Sequence, residues 1–119
     1  MKRLAILATT SWLLAMAHVP DASATSVTTG TGNELLATCS EDRAASEDGF
    51  VAFVVCSNYM RGALDMAGKL NAYCAPYGVT YEQATDVVLN RLRANATDRH
   101  LPSPVLIARY LGGAFPCSR

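Results

Sequence analysis

The stretch Gly49–Cys74, GFVAFVVCSNYMRGALDMAGKLNAYC, decides the fold. Its apolar positions Phe50, Phe53, Val54, Met60, Ala63, Leu64, Ala67 and Leu70 recur mostly at spacings of three and four, the period of a helix with one buried face. The β-branched Val51, Val54 and Val55 make a short strand over 50–55 the rival reading. Length decides against it, because good helix formers continue through Met60–Leu70 without a turn signal. Ser46 is placed to cap this helix, with Glu47 and Asp48 in its first turn and Lys69 near its end, the charge order the helix dipole favours. The Cys-Ala-Pro run at 74–76 is expected to stop it. A helix over Glu47–Ala72 would span roughly 39 Å, so a bend near Gly62 is reasonable. Gly62 and Ala63 offer a small-residue surface on which another helix could come close.

Before this stretch, the chain opens with Lys2 and Arg3, an apolar run Leu4–Leu14, and the small-x-small sites Ala15-Met16-Ala17 and Ala22-Ser23-Ala24. That order describes a secretory signal peptide, with cleavage expected after Ala24. Residues 1–24 are therefore assigned to the leader and 25–119 to a single domain, the only sensible count at this size. Acidic and basic side chains are ten each in the 119-residue chain, so charge makes no case for nucleic acid or an anionic membrane. No later run reaches the length of a membrane span.

The chain has four cysteines. In an exported protein an even number points to two disulfides. Three pairings are open, and the preferred one is Cys39–Cys56 with Cys74–Cys117. The first would tie neighbouring helices; the second would tie the end of the long helix to the C-terminus. They would close loops of about 17 and 43 residues, worth roughly 3 and 4 kcal/mol if they act on the unfolded chain. A zinc site needs closely spaced ligand pairs that are lacking, and His18 and His100 do not supply them.

Along the rest of the chain, Ala24–Thr31 reads as a flexible tether. Thr31 and Glu34 have capping-box spacing and open a helix over Gly32–Asp42, with Leu35, Leu36 and Cys39 inward. A tight connection, Arg43–Ser46, would make an αα-hairpin with the long helix. Thr80 and Gln83 form a second capping box, opening a helix over Tyr81–Ala94 with Tyr81, Ala84, Val87, Val88 and Leu92 as its apolar stripe. Asn95–Leu101 reads as loop. Ser103-Pro104 signals a last short helix, with Ser103 as cap and Pro at the first position, and Gly112-Gly113 ends or bends it. Phe115 is expected to plug the core beside Cys117. The expected fold is all-α, a compact bundle of about four helices built on one long central helix and stapled by two disulfides.

No catalytic constellation can be assembled, so the chain reads as a non-enzyme without metal or other cofactors. Glu47 with Asp48, or Asp65 with Glu82, are better read as capping or solvated acids than as a glycosidase pair. The single tryptophan, Trp12, lies in the leader, which weakens any stacking platform. Asn95-Ala96-Thr97 has the form of a glycosylation acceptor. Arg61 and Asp65 stand one turn apart on the long helix and are expected to pair. With Asn58 they make up a polar face that is either ordinary solvated surface or part of the surface a partner reads.

The ordered marks resemble the Rap1a/Tai family of small exported immunity proteins. They are Asn33-Glu-Leu-Leu-Ala-Thr-Cys39, Cys56 followed by Tyr59-Met-Arg-Gly-Ala-Leu-Asp65, Tyr73-Cys74-Ala75-Pro76, Gly78-Val79-Thr80 with Gln83 and Val87-Val88, His100-Leu101-Pro102, and Ala114-Phe115-Pro116-Cys117. Phe-Val-Ala-Phe-Val-Val before Cys56, and the lack of a proline in Asn95–Arg99, depart from the pattern. The resemblance implies an all-helical periplasmic domain that binds and inhibits a peptidoglycan amidase effector delivered by type VI secretion. Some members act as dimers, so a homodimer is among the expected assemblies. The alternative function, from a different class, is a periplasmic chaperone or stress-binding helical module.

Overall fold

A computed structural model describes residues 28–118. The expected leader over 1–24, its cleavage site and the start of the expected tether lie outside the described residues. Four α-helices follow in order: α1 (Gly32–Ser40), α2 (Glu47–Lys69), α3 (Tyr81–Ala94) and α4 (Ser103–Ala114), with a 3₁₀ turn, Ala96–Asp98, before α4. The rival strand over 50–55 is helix. Both capping boxes form, Thr31 with Glu34 and Thr80 with Gln83, and Ser46 accepts from the Gly49 amide at 3.0 Å. These short-range bonds satisfy amides that a helix start leaves without partners.

Helix ends differ from the expectation in two places. The first helix stops at Ser40 because Asp42 turns away, its carboxylate accepting from the Ala44 amide at 2.9 Å. The long helix stops at Lys69, before Ala72 and well before Pro76. Asn71 takes the left-handed conformation (φ 55°), the Ala72 amide bonds Ala67 O at 2.9 Å, and the Asn71 amide bonds Gly68 O at 3.0 Å. That is a Schellman stop, in which asparagine takes the place usually held by glycine.

Both preferred disulfides are present, Cys39–Cys56 and Cys74–Cys117. The first clips the α1–α2 hairpin and sets which side of α2 is inside. Ala52, Cys56, Met60, Leu64 and Ala67 are buried, and Cys56, Met60 and Leu64 share one core cluster with Leu35 from α1, Val88 and Leu92 from α3, and Leu106, Ile107 and Leu111 from α4. Phe50, Phe53, Val54 and Leu70, expected inside, are exposed instead. The stretch carries two overlapping apolar stripes. The one that contains Cys56 is buried because the bond to α1 leaves no other rotation. On α3, Leu89 is buried while Tyr81 stands at the surface.

The segment expected to be a free tether is docked where it is described. Thr38 Oγ1 donates to Thr28 O at 2.9 Å, the Ser103 amide to Gly30 O at 3.0 Å, and the Ser103 hydroxyl to Thr29 O. Thr31 and Pro102 form an antiparallel bridge. The amides of Gly32 and Asn33 bond Leu101 O and Arg99 O, at 3.1 and 2.8 Å. Together with the capping box, these contacts leave no amide at the start of α1 unpaired. A side chain at Gly32 would lie 2.6 Å from Leu106 Cδ1, so only glycine lets α1 enter this corner.

Ser103 does not cap α4. It is the first helical residue, fully buried, and Pro102 precedes it as the cap without a side-chain bond. Its one proton goes to Thr29 O, so Tyr59 donates its hydroxyl proton to Ser103 Oγ across 2.6 Å. α4 then runs through Gly112 and Gly113, neither ended nor interrupted by them. Gly112 is needed for proximity, because a Cβ there would sit 2.7 Å from Ala72 O. Phe115 closes the end of the bundle, half-buried, with its ring 6.4 Å from that of Tyr73 and its carbonyl accepting from the Cys74 amide at 2.8 Å.

Two hydroxyls of this core should respond oppositely to removal. Ser103→Ala strands both Tyr59 Oη and Thr29 O and should cost about 1–3 kcal/mol of unfolding free energy in urea titration. Tyr110 Oη is buried with no hydrogen-bond partner among the described residues, so Tyr110→Phe should be neutral or stabilising. Equal losses from the two variants would contradict this assignment.

Candidate functional site

The three residues singled out as a partner-reading face, Asn58, Arg61 and Asp65, all lie on the exposed side of α2. They are spaced by about one turn, so the rotation that buries Cys56, Met60 and Leu64 turns them outward together. The first turn of α3 packs beside them and brings in Tyr81, which had been expected to face the core.

Arg61 and Asp65 do not form the ion pair expected from their spacing; among the described residues the one salt bridge within 4 Å is Arg109–Asp98, at 3.5 Å. Tyr81 links them instead. Its hydroxyl donates to Asp65 Oδ1, and the Arg61 guanidinium lies over its ring, 5.4 Å from the centroid. The phenol satisfies the carboxylate with a directed bond while its π face takes the cation. The bond to Asp65, reinforced by that carboxylate's negative charge, raises the Tyr81 pKa above the ordinary phenol value. Tyr73 is raised as well, by burial first and by Asp65 second.

Three grooves border this cluster. One of about 280 Å³ lies between Asp65, Tyr73, Thr80 and Tyr81. A second, about 430 Å³, runs from the end of α1 across Asn58 and Arg61 to Glu82 and Asp86 on α3. A third, about 460 Å³, separates α2 from α4 and is walled by Tyr59, Ala63, Met66, Leu70 and Ile107. Gly62 borders this third groove, and no atom lies within 4 Å of where its Cβ would be. Of the small pair Gly62–Ala63, Gly62 therefore makes no close helix contact, whereas Ala63 packs against the core. Asn58 stands on the ridge between the second and third grooves.

Catalytic or metal chemistry finds little to work with. Among the described residues no three His, Cys, Asp or Glu side chains are grouped to hold a metal ion. The Glu82 carboxyl lies below its usual range, chiefly through a bond from its own backbone amide and then from Thr80. It serves the start of the helix. Asp65 is held by Tyr81. No helix among the described residues is long and apolar enough to cross a membrane.

Comparison with known proteins supplies one match. A family model described as Rap1a immunity proteins matches residues 31–117. That covers most of the chain, all four helices and both disulfides, and the chain belongs to this family. The family is one of immunity proteins rather than enzymes. No curated protein and no solved structure matches the chain.

The Tyr81–Asp65 bond can be read by titration. Phenolate absorbance, taken as the difference between the native chain and Tyr81→Phe, should show Tyr81 ionising above the ordinary value of about 10. In Asp65→Asn it should fall back toward that value. Because the folded pKa is raised, the contribution of this bond is complete below the ordinary phenol pKa and is lost as pH climbs through the folded one. An unchanged titration in Asp65→Asn would show that the carboxylate does not hold the phenol.

Proposed function

We propose that this Rap1a-family chain is exported to the periplasm and there binds and inhibits a peptidoglycan amidase effector, acting by occlusion rather than by catalysis. The observation that carries the proposal is the family match across residues 31–117. Export is supported by the basic start, the apolar run Leu4–Leu14 and the Ala22-Ser23-Ala24 site, which fit a leader cleaved after Ala24 to leave residues 25–119 as the mature domain.

The geometry supports a contact surface around Asn58, Arg61 and Asp65, extended by Tyr81. Tyrosine and arginine are the side chains most often found at energetic centres of protein interfaces. Here both are held before any partner arrives: Arg61 by the Tyr81 ring and Tyr81 by Asp65. The backbone beneath them is one long helix pinned at Cys56 and followed by the Cys74 bridge. A surface ordered in advance loses little freedom on binding, as a stoichiometric inhibitor requires.

One observation favours a second reading. Phe50, Val51 and Val54 form an exposed apolar strip at the start of α2, the kind of surface a periplasmic chaperone offers to unfolded clients. Suppression of client aggregation without any bound hydrolase would select that reading.

The direct test is capture of partners from a periplasmic extract on the mature, oxidised protein, followed by a cell-wall amidase assay with and without it. A captured amidase inhibited at about one-to-one stoichiometry is the expected result. Arg61→Ala and Tyr81→Ala should each weaken that inhibition by ~10-fold or more while leaving the thermal midpoint nearly unchanged. Absence of any bound hydrolase, with no inhibition, would sink the proposal.

A further inference from the structure

We infer that the groove joining the end of α1, the middle of α2 and the first turns of α3 is a receptor for a basic protein segment, one that lays a lysine or arginine stem over an apolar floor and its cation against an acidic rim. The groove has a volume of about 430 Å³. Its floor is the Cys39–Cys56 bridge with Met60 and Leu89, and the Phe53 ring stands beside it 40% exposed. Glu41 at the end of α1, and Glu82 and Asp86 on α3, form the rim.

The rim holds three acids to one cation; Glu82 is already engaged by its own backbone amide and Thr80 and lies in the field of Arg61, which leaves Glu41 and Asp86 to face an occupant. Glu82 and Asp86 are one turn apart on the same face of α3, where like charges repel. None of the three carboxylates has a cationic side chain within 4 Å, since among the described residues the one such pair is Arg109–Asp98. The chain's own arginines at this face are placed on rings instead. Arg43 lies over Phe53, 5.1 Å from its centroid, and Arg61 over Tyr81, at 5.4 Å. Arg61 is the single cation lining the groove, against three acids. The two aromatic faces show that this surface accommodates stacked guanidinium groups.

Lysine and arginine match such a site because their stems are apolar and only their heads need water or counter-charge. An acidic occupant would meet the rim's repulsion, and a purely apolar one would desolvate Glu41 and Asp86 without compensation. The α2–α4 groove presents no such choice: its walls carry no carboxylate, and nothing in the structure indicates what covers it.

This inference deepens the amidase reading, resting on it only for the partner being a protein; the sign of the partner's charge comes from the groove. The test therefore uses peptides, so that it can fail independently of the amidase assay. The mature oxidised protein, labelled with nitrogen-15, is titrated with the amidated peptide Leu-Arg-Leu-Arg-Leu and with its Glu-for-Arg counterpart. The basic peptide should shift the amides of Phe53, Met60, Thr85 and Leu89, more strongly at low salt than at physiological salt. Binding should weaken by about 3-fold or more in the double variant E82Q/D86N, whose fold is checked by its unperturbed remaining amides. Shifts confined to other faces, equal binding of the acidic peptide, or no change in E82Q/D86N would each overturn the inference. A positive result with no amidase captured would keep the groove and remove the amidase as its occupant.

Discussion

The bond between Cys39 and Cys56 is the constraint on which the rest of this bundle depends. A helix twenty-three residues long with apolar side chains on most of its circumference could bury either of two faces. Cys56 removes that freedom. Residues four positions away, Ala52 and Met60, lie about 40° around the helix from it and go inward with it. Phe50 and Val54 lie more than about 100° away and are turned to solvent. The same rotation brings Leu64 and Ala67 to the core and sends Asn58, Arg61 and Asp65 outward.

A second constraint acts at the opposite corner of the bundle. The start of α1 is held by carbonyls from the loop before α4, and the residues ahead of it are held by Ser103. Arg99 ties the same loop to the end of α3, donating to Leu92 O at 2.6 Å and to Arg93 O at 2.7 Å. Several of these groups, the Ser103 hydroxyl and the Arg99–Leu92 bond among them, are buried or half-buried with a directed partner, so the corner tolerates little displacement without stranding one of them. A small domain with a modest core gains definition from such bonds, while the disulfides restrict the unfolded chain.

The polar face around Asn58, Arg61 and Asp65 takes its order from the packing of α3 on α2. Asp65 and Arg61 would be two flexible surface side chains on an isolated helix. Tyr81 reaches them only because α3 packs across α2 at this level, and its phenol then joins carboxylate and guanidinium into one fixed patch.

Much of this was legible from local sequence. Thr31 with Glu34, Ser46, and Thr80 with Gln83 announced three helix starts, because each is a bond between groups three residues apart. The number and placement of helices, the all-α class, the preferred cysteine pairing and the family marks were likewise carried by short-range pattern and order. Tertiary structure alone decided which stripe of α2 is buried, that Ser103 is a buried link rather than a cap, that Thr28–Thr31 is docked, and that Tyr81 stands between Arg61 and Asp65. Each of these depends on partners sixteen or more residues away, such as Tyr81 with Asp65 and Ser103 with Thr29, or, for Thr38 with Thr28, on a strap folding back along its own helix. Periodicity places a residue on a face of its own helix. Only the packing of one helix against another determines which face is inside.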